Sequence, residues 1–416
     1  MSIEHQGEPR GNGIREAYEH YVGPAQQTYT PTQVVIKKAK GRKLTTVDGR
    51  KLYDFAAGVL VSNLGYKHKG FKKRYKEYIQ GLPRNAYNLI APIQVEASRR
   101  LVESVGGKAE MLLWAASGSE GIQKAIWCAQ HRYPDRPYIL ATRHGFHGKK
   151  GLAADITGAS SLNPYVRWVS FPMDTPEEPE FYRNELDRLW EELPNQICLL
   201  LTEPYLGAAG SYHPPKWYHQ LLQEWCNEHD IPFIFDEVQS CFGRTGNMYA
   251  SQTYGVEPDL VVLGKGMASG EPAAAVVGRA DLISSLEYGE ASDTFSGSPM
   301  ACAAVCATLD VFEEKDIVGR CRDMESKMRE LLNHLCDTFP FLRQVRGEGL
   351  VYGVEVCDAD TANRCVLEAY RGDGERGVHF LGPLAQKVLR VSPPLTITPE
   401  ELDEAGALLE ESWKRV

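Results

Sequence analysis

The sequence predicts an α/β protein, with a large domain built on a mainly parallel central sheet and a small α+β domain beside it. Three observations predict this. From about residue 90 to 280, helical stretches alternate with short apolar runs at 111–115, 137–141, 197–202, 231–235, 259–263 and 273–278. That is the rhythm of a doubly wound sheet. Second, Asp236 ends the run Ile-Pro-Phe-Ile-Phe-Asp-Glu-Val (231–238), and Lys265 sits in Pro-Asp-Leu-Val-Val-Leu-Gly-Lys-Gly (258–266). Each charge lies at or just past the carboxyl end of a run apolar enough to be a buried strand. Ligands sit at that edge in open α/β sheets. Third, the two ends of the chain carry a different, meander-and-helix pattern.

Taken in order, residues 1–30 are polar and aromatic and read as an arm or lead-in helix. Residues 34–55 alternate and are broken by Lys-Gly and Asp-Gly, which predicts a small antiparallel meander. The strand-and-helix alternation follows. Residues 299–337 are helical in pattern and lead into a strand region at 345–356. At the tail, Thr398 can cap a helix, Pro399 suits its first position, and Glu401 completes a capping box. The expected division is residues 1–60 as arm and part of the small domain, 61–310 as the large domain, and 311–416 as the rest of the small domain.

The 416 residues are 43% hydrophobic and 24% charged, ordinary for a soluble globular chain. A net charge of −9 argues against broad attraction to nucleic acid or anionic membrane. The first ten residues are polar and hold no signal core, and no apolar stretch approaches bilayer length. Ten scattered cysteines form no Cys-x-x-Cys pair. Cys302 and Cys306, one helical turn apart, read as an apolar helix face rather than metal ligands. The expectation is a cytoplasmic enzyme with reduced thiols and no metal.

A lysine and an acid brought to one sheet edge suit a pyridoxal-phosphate site. The lysine can form a Schiff base with the aldehyde, and the acid can keep the pyridinium nitrogen protonated. Merely solvated strand-end charges fit the two residues as well. After the run 111–115 comes Ala-Ser-Gly-Ser-Glu-Gly (116–121) and a helical segment. Free backbone N–H groups, hydroxyls and the helix dipole would hold a phosphate around Ser117, Gly118 and Ser119. A serine-capped helix is the plain alternative, and this is not a Walker loop, since Gly-Lys-Ser/Thr is missing. In Phe146-His147-Gly148 the ring can stack on a flat heterocycle and the glycine permits close approach. A core aromatic at a turn reads equally well.

Asp236-Glu-Val-Gln-Ser-Cys-Phe-Gly-Arg-Thr-Gly246 resembles the signature of class III pyridoxal-phosphate aminotransferases, the group containing acetylornithine, ornithine and 4-aminobutyrate aminotransferases. Pro258 through Gly266, Ser117-Gly-Ser-Glu120, Phe146-His-Gly148, Glu203-Pro204, Thr294-Phe295 and Arg390-Val-Ser-Pro-Pro-Leu395 follow in that family's order, from about residue 30 to the end. The resemblance implies fold type I and a homodimer with shared active sites. It implies that Lys265 is the Schiff-base lysine and proton carrier, and that Asp236 pairs with the pyridinium nitrogen. Val238 would pack on one ring face, Phe146 on the other, and Gln239 would bond the phenolic oxygen. Gly118 and Ser119 would bind phosphate, with Ser117 and His147 grouped among the cofactor-binding residues. Thr294 would reach the partner's phosphate, Glu203 would support Gln239, and Arg390 would fork onto a substrate carboxylate. Val59 and Tyr87 fall where relatives line the substrate pocket.

Some positions depart from the family pattern. Ala208 stands where dual-substrate members carry a glutamate that covers the arginine. Cys241 replaces a glycine, and Gly121 an alanine. Lys67, Lys69, Lys72, Lys73 and Arg74 form a basic cluster, a solvated helix face or a steering patch for an anionic substrate. The leading expectation is transfer of an amino group, from a terminal or ω-amine, to a 2-oxo acid such as pyruvate or 2-oxoglutarate. A lyase, a decarboxylating transaminase or an aminomutase would use the same cofactor residues.

Overall fold

The computed structural model describes residues 3–416 apart from 27, 29 and 174–176. The chain forms two compact units, one of residues up to His68 together with Gly319–Val416, the other Lys69–Val318.

The larger unit is built on a seven-stranded sheet. In chain order its strands are β1 (Met111–Ala115), β2 (Tyr138–Thr142), β3 (Val166–Val169), β4 (Ile197–Thr202), β5 (Phe233–Glu237), β6 (Leu260–Leu263) and β7 (Ala274–Gly278). Their order in space is β1-β7-β6-β5-β4-β2-β3. β7 runs antiparallel to both neighbours, and the other pairings are parallel. The sheet is therefore mainly parallel, as the apolar runs predict. β3 escapes sequence reasoning because it is a short edge strand, Val-Arg-Trp-Val, buried only at its two ends.

Alternation along each strand sends side chains to opposite faces. Ile139, Ala141, Leu199 and Leu201 pack on the side of the helix Gly118–Arg132. Leu140, Leu200, Phe233 and Phe235 pack on the side of the helices Pro179–Glu192 and Lys216–Glu228. Both faces are covered, which is why β4 is apolar throughout, Ile-Cys-Leu-Leu-Leu-Thr, and buried at every position. The expected helical stretch 299–337 is two helices, Pro299–Glu314 and Ile317–Thr338, broken at Asp316, whose φ is +43°.

The smaller unit contains the expected meander, Ile36–Lys40, Lys43–Thr46 and Lys51–Asp54, extended by the parallel strand Arg376–His379. A second sheet pairs Leu342–Glu348 with Val351–Val356, then with Val388–Val391. The strand region expected at 345–356 is thus a hairpin. Thr398 and Glu401 form the anticipated capping box on Pro399–Trp413. The helix Pro9–Tyr21 is anchored through buried Glu8, which accepts from Arg15 at 2.6 Å, Arg50 at 3.0 Å and the Tyr370 hydroxyl.

Candidate active site

Consecutive segments leave the carboxyl edge of the large sheet: Ser117–Ser119 after β1, His144–Gly148 after β2, Glu203–Ala208 after β4, Asp236–Gln239 from β5, and Gly264–Lys265 after β6. β5 and β6 are neighbours in register, with Asp236 opposite Val262 and Glu237 opposite Leu263. Lys265 follows within two residues of that pair. Its φ of +39° is left-handed, an uncommon conformation for a side-chain-bearing residue, and such outliers cluster at functional sites.

Asp236 is buried. One carboxylate oxygen accepts from the Val238 N–H at 3.0 Å, and the other lies 2.7 Å from His147 Nδ1. The structure therefore brings His147 to the aspartate, with its imidazole fully buried. Its Nε2 is buried without a hydrogen-bond partner among the described residues. A histidine in this place orients the carboxylate, and when protonated it favours the ionised carboxylate.

Glu203 accepts from the Phe146 N–H at 2.8 Å and the Gly207 N–H at 3.4 Å, and so ties together the loops after β2 and β4. Burial pushes its carboxyl up to about 7; Asp236 acts in the same direction, while His147, the Phe146 N–H and Lys265 oppose it. The charge of Lys265 is thus felt at Glu203. A carboxyl raised in the folded state stabilises the fold below its unfolded value of 4.5 and loses that contribution as pH rises toward about 7. Glu203→Gln is expected to flatten the fall in stability across that window, by up to about 1.4 kcal/mol per pH unit. Urea melts of the cofactor-free protein at pH 5, 6 and 7 check this; an unchanged slope rules it out.

Glu237, which sequence reasoning did not single out, alternates to the other face of β5. It accepts from the Ala250 and Ser251 N–H groups at 2.7 and 2.8 Å, capping the helix Ala250–Tyr254. Burial also pushes it up to about 7. The signal available was the second acid in Phe-Asp-Glu, since consecutive strand residues must face opposite ways.

Small residues make room at this edge. A Cβ on Gly118 would lie 2.8 Å from Val238 Cγ1, and one on Gly264 would lie 3.0 Å from the same methyl. One on Gly148 would collide with the Ser119 side chain, and one on Gly207 with the Gln239 amide. The Ser117 hydroxyl is engaged in capping the helix through the Glu120 N–H, at 3.4 Å. Gly118 and Ser119 begin the helix's first turn, where N–H groups have no intrahelical partner. Gln239 Oε1 is buried with no partner among the described residues. A cradle that only glycine permits, a helix start, a buried carboxylate and an unfinished amide fit a phosphorylated, ring-nitrogen cofactor. Cys241, the departure beside the aspartate segment, sends its thiol to the Gly264 carbonyl at 3.5 Å, and burial pushes that thiol up to about 12.

Thr294 and Tyr87 meet in the larger unit, on a recess of about 550 Å³ also bounded by Asn85, Trp114 and Tyr288. Val59 and Arg390 belong to the smaller unit. Val59 has φ +63° in a left-handed turn that Asp54 pins through the Ala56 and Ala57 N–H groups. Arg390 is buried in Val388–Val391, opposite Gly353. Among the described residues no group of three or more His, Cys, Asp or Glu is arranged to hold a metal ion. Nor is any helix long and apolar enough to cross a membrane.

Residues 25–412 match the family described as aminotransferase class-III. The acetylornithine aminotransferase of Methanothermobacter thermautotrophicus is 31% identical over 391 residues, 92% of this chain and 94% of that protein. The isoleucine 2-epimerase of Lentilactobacillus buchneri is 32% identical over 434 residues, 97% of this chain and 94% of that protein. Among solved structures, a PLP-bound amine transaminase from an uncultivated Pseudomonas species superimposes with a TM-score of 0.84 at 25% identity, covering 94% of this chain and 98% of that one. A match this long, on a chain whose own sheet edge fits the cofactor, makes this protein a pyridoxal-phosphate-dependent member of the class-III aminotransferase family.

Proposed function

We propose that the enzyme moves an amino group from a terminal or ω-amine to a 2-oxo acid such as pyruvate or 2-oxoglutarate, and that it works in the cytoplasm as a homodimer with shared sites. The observation that carries the reading is the placing of Asp236 on β5 and of Lys265 two residues past the end of the neighbouring strand β6, at one edge of the sheet. Pyridoxal phosphate, when bound, supplies an electron sink for charge developing at the substrate Cα. Lys265 Nζ takes the Cα proton and returns it. Asp236, backed by His147, holds negative charge toward the ring nitrogen, while Gly118 and Ser119 hold the phosphate. Phe146 and Val238 would pack against the ring's two faces, and Gln239 would bond its oxygen. By the family resemblance, Arg390 is assigned to a substrate carboxylate, and Val59 and Tyr87 to substrate contacts.

The exposed apolar residues Tyr87, Leu89, Ile90 and Tyr288 around the recess near Thr294 support burial against a second copy. Ten free cysteines, eight of them buried, support a reducing compartment.

The test is the cofactor spectrum on adding candidate amines. With donor alone the expected change is one turnover, from the aldehyde to the amine form, with continued turnover only when pyruvate or 2-oxoglutarate is present. A second reading, epimerisation of an α-amino acid, is favoured by the 32% identity to an isoleucine 2-epimerase. There the Cα proton returns to the opposite face and no acceptor is consumed. Continuous conversion of isoleucine to its diastereomer inverted at Cα, without a 2-oxo acid, would select it.

A further inference from the structure

Lys124 lies in the second turn of the helix Gly118–Arg132, the helix whose start faces the proposed phosphate position. Its neighbours Ile122, Ala125, Ile126 and Cys128 are core residues, and its own side chain is only 4% exposed. Burying an ammonium is costly unless it is paired and hydrogen-bonded. Lys124 achieves both. Its Nζ donates to the Trp114 carbonyl at 2.6 Å and lies 2.6 Å from an Asp293 oxygen. Asp293 stands on an exposed loop and immediately precedes Thr294. Burial would raise its carboxyl, but the hydrogen bonds from Lys124 and Ser296 outweigh that and hold it below the usual carboxylate range.

The same loop is gripped from other sides. Asn85 donates to the Thr294 carbonyl at 2.6 Å, and Gln94 to the Gly297 carbonyl at 2.9 Å. Gly297, at φ +63°, lies so close to Trp114 that a Cβ there would be 2.6 Å from its ring. Trp114 is in β1 and Lys124 in the following helix, so the loop is fastened to the two elements that flank Ser117–Ser119. Without the ion pair, the exposed segment Ser292–Phe295 keeps the Asn85 bond to the Thr294 carbonyl and hydrogen bonds within the loop, from Ser292 to the Gly289 carbonyl and from Ser296 to Asp293, but loses its tie to the helix Gly118–Arg132.

We propose that Lys124, through Asp293, is a positioning residue that holds Thr294 where it can serve the partner subunit's cofactor phosphate, tying the cradle of one site to the phosphate contact of the other. This rests on the homodimer and on the role of Thr294 given under Proposed function. A lysine that merely filled a core position would affect stability without a selective effect on cofactor binding.

The experiment measures the dissociation constant of pyridoxal phosphate from the full-length dimer by absorbance titration, with the ³¹P resonance of the bound phosphate as a second readout. Lys124→Met and Asp293→Asn are each expected to weaken binding about tenfold, near 1.4 kcal/mol. The double variant should be no weaker than the worse single, because both changes break one contact. Lys124→Arg should recover most of the affinity. Thr294→Ala is the control. If it weakens binding while Lys124→Met and Asp293→Asn stay within about twofold, the inference is overturned and the Thr294 reading stands. If Thr294→Ala has no effect, that reading falls and the inference falls with it. Should Lys124→Met not fold, the exposed Asp293→Asn decides alone.

Discussion

Lys265→Ala is expected to fold, to bind pyridoxal phosphate and to have no measurable transamination. The residue is half-buried on a 3₁₀ turn, so truncation removes no core packing of consequence. The glycine-lined cradle at Gly118 and the carboxylate of Asp236 remain to hold the cofactor. What disappears is the amine proposed to attach the cofactor and carry the Cα proton. Proton transfer by a positioned side chain alone is worth about 10²–10⁴-fold, and loss of covalent attachment adds to it. The check is single-turnover absorbance with an amine donor, beside the circular dichroism spectrum and melting temperature of the variant. Turnover at the parent rate in a correctly folded Lys265→Ala would sink the assignment of the lysine.

Asp236→Ala is expected to cost activity about 10²–10³-fold, the usual effect of deleting a preorganised charge from a reacting centre. It should also cost stability. The carboxylate joins the Val238 N–H to His147, and its removal leaves a fully buried imidazole without its 2.7 Å partner. Leaving a buried hydrogen-bonding group unsatisfied by removing its partner costs about 1–3 kcal/mol. His147→Asn should show a smaller kinetic loss of the same kind, because histidine acts through the aspartate. The measurements are kcat and the pH dependence of the bound cofactor's absorption. If His147→Asn leaves that pH profile unmoved, histidine has only a packing role.

Much of this molecule is legible in one dimension. The apolar runs mark their strands because a sheet covered on both faces needs apolar residues at successive positions, as β4 shows. Thr398, Pro399 and Glu401 announce their helix because capping is local chemistry. β3 is not legible, since a four-residue edge strand buried only at its ends is too short to mark itself as an apolar run. The break at Asp316 is hidden because the helical periodicity continues past it.

The site divides the same way. Lys265 and Asp236 stand out as charges at the ends of apolar runs and Ser117–Ser119 as a small-residue helix start, whereas Gln239 is picked out only by the family resemblance. Glu203 is visible as a residue, but its clamp on the Phe146 N–H depends on β2 and β4 lying side by side. The partnership of His147 with Asp236 crosses 89 positions of sequence, and no spacing rule reaches that far. Lys124 is the sharpest case. In sequence it is one more polar residue in a helix, and only its burial beside Trp114 and Asp293 gives it a task.

By itself, then, the sequence determined the fold class, the capped helices and the order of the candidate site segments, because these follow from local propensity and residue chemistry. Tertiary structure alone decided which polar groups meet: His147 with Asp236, Glu203 with two loops, Lys124 with Asp293. Burial makes an unpaired charge costly, and which groups pair depends on distances that form only when strands and helices pack.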